Sequence, residues 1–247
     1  MAIYNNCFKW LPNRSNFYYA RQDGANNAIQ FCSDIFSPHS KKIDSNVIVR
    51  GTTDHKIVRL QYKNVVSYCL RLPDGCFEAV HETITKLSSG AINSLPAIDN
   101  STTYHSYEDL FLTIKKIMQN ESQGIPEIWI NTSDWDSSIN PKDHPDHVQT
   151  GLLAKAVAET IPCVNIVLFE GYNTCSKPAN LNPDEIAMEA SLHSQVSYSK
   201  SSNGFGSEWD PENSCGHVSW VSRNYFRLYK TCDTKTIKQN KQKSKKH

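Results

Sequence analysis

His144, Asp146 and His147 are the residues whose types and spacing could do chemistry, because two imidazoles and a carboxylate fall within the run Asp143-His144-Pro145-Asp146-His147. Imidazole either ligates a metal or carries a proton near neutral pH, and a neighbouring carboxylate orients it for both tasks. Residues 126–131 form an apolar, aromatic and β-branched run that reads as a buried strand; residues 132–143 have loop composition, and 148–161 carry apolar residues at helical spacing. Proline suits the first helical position, so His144 is the expected cap, with Asp146 and His147 opening the helix. Unpaired amide donors at that end disfavour imidazolium, so neutral rings are expected, the form a metal requires. His144 and His147 lie three apart, near enough to address one bound group. In open α/β sheets, ligands gather beyond the carboxyl ends of the strands, where this loop emerges. Taken alone, an HxxH pair reads equally well as a plain polar opening turn.

The elements that must position these residues follow from pattern. Helices are expected at 17–36, 78–89 and 183–198, and strands at 47–50, 58–62, 65–72 and 164–169. Ser106 with Asp109 imitates a capping box, and Leu110, Ile114, Ile117 and Met118 form an apolar stripe that belongs to the core. Alternating strands and helices imply an α/β fold, a Rossmann-like three-layer α/β/α arrangement with a mostly parallel sheet. There is no internal repeat, and Gly204-Phe205-Gly206 is too short for a dinucleotide fingerprint.

With Thr150-Gly151 included, the 143–147 run resembles the second signature of the PIG-L/LmbE-like family, zinc-dependent deacetylases of N-acetylated sugars. The resemblance runs from about Trp10 to Tyr229. It rests also on Tyr19-Ala20-Arg21-Gln22-Asp23-Gly24, Leu70-Arg71-Leu72-Pro73-Asp74-Gly75, Ser106-Tyr107-Glu108-Asp109-Leu110, Glu127-Ile128-Trp129, Gly171-Tyr172 and Pro178-Ala179-Asn180-Leu181. It implies an N-acetylglucosamine-type sugar or glycolipid as substrate and hydrolysis of the acetamide by water activated at zinc. His147 would bind the metal, His144 would serve as electrophile or proton donor, and Asp146 would orient a ligand or a neighbouring imidazole. Arg71 and Tyr172 would contact substrate. For Tyr172 and Asn180, turn and packing roles compete with substrate contact. The family's first signature, His-Pro-Asp-Asp, occurs nowhere in the chain. The resemblance therefore brings one metal ligand, where a catalytic zinc takes three. Three readings follow: a deacetylase body that lacks its first strand and is impaired as it stands, a non-catalytic sugar-binding or interaction module of that descent, and a different metal site for phosphoester hydrolysis.

Length and composition suit residues 1–230 as one α/β domain, followed by a basic tail at 231–247 expected to be disordered. Six lysines fall within 235–247, yet without aromatic residues this run gives no specific nucleic-acid signal. No stretch approaches the roughly 20 apolar residues of a membrane helix. The expectation is a soluble chain, cytoplasmic by default, that associates with itself through an exposed sheet edge. Its eight cysteines include no CxxC pair, and Cys69 and Cys163 read as core fillers.

Overall fold

A computed structural model describes residues 14–35, 40–75, 83–209 and 217–230. The expected tail, residues 78–82 of the expected 78–89 helix and the start of the family resemblance lie outside these residues. The architecture is mixed α/β, with six helices and three small sheets among the described residues.

Helix α1 (Arg14–Asp34) leads into a meander of β1 (Ile43–Arg50), β2 (Asp54–Tyr62) and β3 (Val65–Cys69), antiparallel throughout. Helix α2 (Ile84–Ser89) follows, then the short pair β4 (Leu95–Pro96) and β5 (Thr103–Tyr104). Helix α3 (Tyr107–Glu121) precedes β6 (Ile128–Ser133), α4 (Pro145–Ala158) and β7 (Val164–Phe169). A 3-10 turn (Tyr172–Ser176), α5 (Pro183–Ser202), α6 (His217–Trp220) and β8 (Phe226–Lys230) complete the order. In the third sheet β6 and β7 are parallel, and β8 adds antiparallel to β7.

The expectation of a mostly parallel sheet is corrected: among the described residues only β6 and β7 pair in parallel. The reason is connector length. Only residues 63 and 64 separate β2 from β3, which is enough for a hairpin, whereas a parallel return needs a crossover of a dozen residues or more. The β6-α4-β7 unit has such a crossover.

Two clusters of buried side chains hold these elements together. Leu110 and the rest of the α3 stripe pack with Val49, Ile57, Leu72, Leu95, Leu153 and Val157, so the stripe is core as expected. Beneath the third sheet, Ala158 of α4 meets Val164, Ile166 and Leu168 of β7. Burying each of the larger side chains contributes about 1.5–3 kcal/mol. Gly151 sets the closeness of α4 to β6, because a Cβ there would lie 2.3 Å from the Ser133 carbonyl oxygen. No described helix is long and apolar enough to cross a membrane.

Both cysteines expected in the core are buried, and the structure adds a disulfide at one of them. Cys69 is a buried free thiol, but Cys163 is disulfide-bonded, as is Cys175.

Candidate functional site

Because β6 and β7 run in parallel, their carboxyl ends deliver two loops to the same side of the sheet, residues 134–144 and 170–171. The first loop is fixed through Asn140. Its Nδ2 donates to the Asp134 carbonyl at 2.9 Å and to Asp143 Oδ2 at 2.7 Å, and its Oδ1 accepts from Gly171 N at 3.0 Å. Arg227 of β8 clamps the loop's beginning, with Nε 2.6 Å and Nη2 2.9 Å from the Asp134 carboxylate. A bidentate pair of this kind fixes orientation as well as position.

The helix opens as the sequence indicates. His144 is the cap of α4, Pro145 is its first residue, and His144 Nδ1 accepts from Asp146 N at 3.2 Å. That acceptor role assigns the proton of the neutral ring to Nε2, which lies 3.3 Å from Asp74 Oδ1. Asp74 follows β3 in sequence, so the sheet region before α2 and the start of α4 meet at this imidazole. His144 and Asp146 are buried. Asp146 accepts from Gly75 N at 2.7 Å and from Thr85 Oγ1 at 3.1 Å.

The helix end is not the dominant influence on His144. Burial, the largest influence, pushes its pKa down, but the hydrogen bond and charge of Asp74, with the charges of Asp146 and Asp143, raise it above the ordinary histidine value. Three carboxylates outweigh one helix end. A histidine whose pKa is raised by neighbouring carboxylates is suited to donate a proton, the role the family resemblance gives it.

His147 is held differently. Its Nδ1 lies 2.9 Å from Asp143 Oδ1, and that carboxylate also accepts from His144 N at 2.8 Å. Burial pushes the Asp143 pKa up, but the bonds from His147, the His144 amide and Asn140 hold it below the usual carboxylate value. An ionised partner accepts the hydrogen bond from Nδ1–H, leaving the Nε2 lone pair to face a ligand, the tautomer found in metal-ligating histidines. The ring stacks on Tyr172, with centroids 5.4 Å apart and planes at 19°, and lies 5.3 Å from the His144 ring. His147 is half-buried and lines a cleft of about 490 Å³ with Tyr172, Phe169, Trp220, Arg21 and Arg223. Gly171 permits this arrangement, since a Cβ there would stand 2.5 Å from Asp143 Oδ1.

Asp74, His144 and Asp146 form a buried group whose ligand atoms lie within 4.8 Å of one another, and it could hold a metal ion. One imidazole and two carboxylates match the ligand count of a catalytic zinc. Cation binding there would require His144 Nε2 to lose its proton to Asp74 or solvent, and Nδ1 to surrender the cap bond. The His147 tautomer fits a metal without rearrangement, yet among the described residues no group of three donors includes it.

The structure thus brings together His144, Asp146, His147 and Tyr172 of the residues singled out by sequence. Arg71 is placed elsewhere: it is buried, with φ +54°, ion-paired to Asp99, donating to Gln22 Oε1 at 3.3 Å and packed over Tyr18 and Tyr19. It is not among the residues lining the cleft. Asn180 serves the turn role, donating to the Asn224 carbonyl at 2.8 Å. Asp74, Trp220 and Arg223 were not anticipated. Asp74 sits in the Leu70–Gly75 segment that carries part of the family resemblance; Trp220 and Arg223 had no local signal.

Comparison of the chain with protein-family models, with curated proteins and with solved structures finds no match.

Proposed function

We propose that this chain has the body of a PIG-L/LmbE-like zinc-dependent N-deacetylase, a carbon-nitrogen amide hydrolase impaired in turnover as it stands, and that its cleft receives an N-acetylglucosamine-type sugar or glycolipid. The observation that carries the reading is the pairing of two differently prepared imidazoles at one helix start: His147 with its Nε2 lone pair presented beside the cleft, and His144 held by Asp74 as a proton store. A bound zinc would polarise the amide carbonyl and activate water. The chain's own part is to orient His147 through Asp143, to deliver a proton from His144 Nε2 to the departing amine, and to give the sugar ring an aromatic wall in Tyr172 and Trp220. Asp146 fixes the backbone around His144 through Gly75 and Thr85.

Within this proposal the fold is a Rossmann-like three-layer sheet, and the edge of β6, unpaired among the described residues, is where a further strand or a second copy pairs. Sedimentation as a monomer at all concentrations would refute the pairing with a second copy.

The second reading, a sugar-binding module without turnover, is favoured by the lack of a three-donor group including His147 among the described residues. The two readings share the cleft and divide on chemistry. The test is titration of the full chain with N-acetylglucosamine conjugates, followed by NMR of Tyr172 and His147 and by acetate release. Saturable shifts that vanish in Tyr172→Ala support the shared cleft; no shifts at any concentration refute both readings. Acetate release then separates hydrolase from binding module.

A further inference from the structure

The sheet of β6, β7 and β8 carries α4 and the apolar cluster around Ile166 on one face. Among the described residues its other face is partly exposed to water, with Asn165 buried and Val167 and Phe169 half-buried. Strand alternation puts Trp129 and Asn131 of β6 on that face, and the register sets Asn131 beside Val167 and Val167 beside Leu228. Trp129 is 50%, Leu228 52% and Phe226 57% exposed. Apolar side chains grouped on one surface invite a covering group or association.

Asn131 stands among them, exposed, and is followed by Thr132 and Ser133. Asn-Thr-Ser is an acceptor pattern for N-linked glycans. Asn100 and Asn120 also head such patterns on exposed positions, as does Asn13 outside the described residues, and in a chain rich in asparagine and serine the pattern alone decides nothing. Surroundings single out Asn131. Trp129 precedes it by two residues, about 7 Å along the same strand face, within reach of the first sugar ring. A pyranose has an apolar face that packs on an indole, so a glycan here would cover tryptophan and the neighbouring leucine together.

The cysteines supply a second, independent observation. Cys163 and Cys175 are both disulfide-bonded, and structural disulfides form and persist in the secretory lumen and beyond it, where N-glycans are attached.

We propose that Asn131 is an N-glycosylation site of a chain that folds in an oxidising, secretory compartment, and that its glycan covers the open face of the β6-β7-β8 sheet. In the transfer, the Asn131 carboxamide nitrogen bonds to the anomeric carbon of an oligosaccharide carried on a lipid diphosphate. The bond from that carbon to the diphosphate oxygen breaks, the lipid diphosphate leaves with the electron pair, and the amide proton passes to a base of the transferase. Nothing is oxidised or reduced.

The test is production of the full chain behind a cleavable secretory leader in eukaryotic cells, with peptide mapping of total cellular and secreted protein. N-glycanase digestion in heavy-oxygen water turns each glycosylated asparagine into labelled aspartate. The expected result is label at position 131, lost in Asn131→Gln and, by removal of the hydroxyl alone, in Ser133→Ala. Enzymatic removal of the glycan from the folded protein should raise binding of an apolar dye, with the rise absent in Trp129→Ser. Unmodified Asn131, including a chain carrying glycans only on Asn100 or Asn120, would overturn the site. Dye binding indifferent to glycan removal would overturn the covering role, and Cys163 and Cys175 both reacting as free thiols would overturn the compartment.

Discussion

Gly171→Ala tests the wiring of His147 most sharply, because the added methyl is aimed at one carboxylate. Gly171 has φ −100° and ψ −121°, outside the regions alanine prefers, so a backbone cost adds to the steric one. Its Cβ would lie 2.5 Å from Asp143 Oδ1 and 2.7 Å from Oδ2, where ordinary contact begins near 3.4 Å. The carboxylate must therefore retreat by about 0.9 Å. Oδ1 is the atom bonded to His147 Nδ1 at 2.9 Å and to His144 N at 2.8 Å, and a shift of that size breaks or badly bends both bonds. The Asp143 side chain is fully buried, so losing a charge-assisted partner there costs about 1.5–3 kcal/mol. Two assays read the result. Urea unfolding should show a destabilisation of at least that size. Nitrogen NMR of labelled histidine, in alkaline buffer where the ring is neutral, should show His147 as the Nδ1–H tautomer in the parent and as a mixture in the variant. An unchanged tautomer with unchanged stability would refute the claim that Asp143 presents Nε2 beside the cleft.

Asp74→Asn removes the largest influence raising the His144 pKa, so that pKa should fall, read by NMR titration. The sign follows from linkage: a histidine whose folded pKa is raised lends stability that is fully present below its unfolded value, near 6.5, and is lost as pH climbs through the folded value. Urea midpoints at about pH 5 and about pH 8 should therefore differ less in Asp74→Asn than in the parent, and an equal or larger difference would count against the pairing. Arg71→Lys should lower stability by about 1–3 kcal/mol, since lysine cannot reproduce the planar contacts to Asp99, Gln22 and Tyr19 together. It should leave sugar binding unchanged, because Arg71 does not line the cleft; a large loss of affinity by calorimetry would restore it as a substrate contact.

Much of the site was legible because its signals are local. Pro145 fixes where α4 begins, and the structure places His144 at the cap with Nδ1 turned to the helix. The apolar run 164–169 has turn and loop residues on both sides, and β7 spans Val164–Phe169. Ser106 caps α3, but Asp109 turns to His105 N and the turn before β2 instead of completing the reciprocal box. What escaped the sequence is non-local. β8 owes its place to the register with β7 and to the Arg227–Asp134 clamp, neither visible in a five-residue run. The charge state of His144 depends on Asp74, far upstream in the chain, so reasoning from the helix end alone gave the wrong sign. The parallel expectation failed where alternation was counted without weighing the connectors: a two-residue link leaves β2 and β3 no other pairing than antiparallel.

Equilibrium dialysis of the full chain against zinc, with acetate release from N-acetylglucosamine conjugates followed in the same samples, tests the central claim most directly. One prepared imidazole without two companions predicts substoichiometric zinc, further reduced in His147→Ala, and negligible acetate. One tightly held zinc per chain, with acetate turnover abolished by His147→Ala, would contradict it.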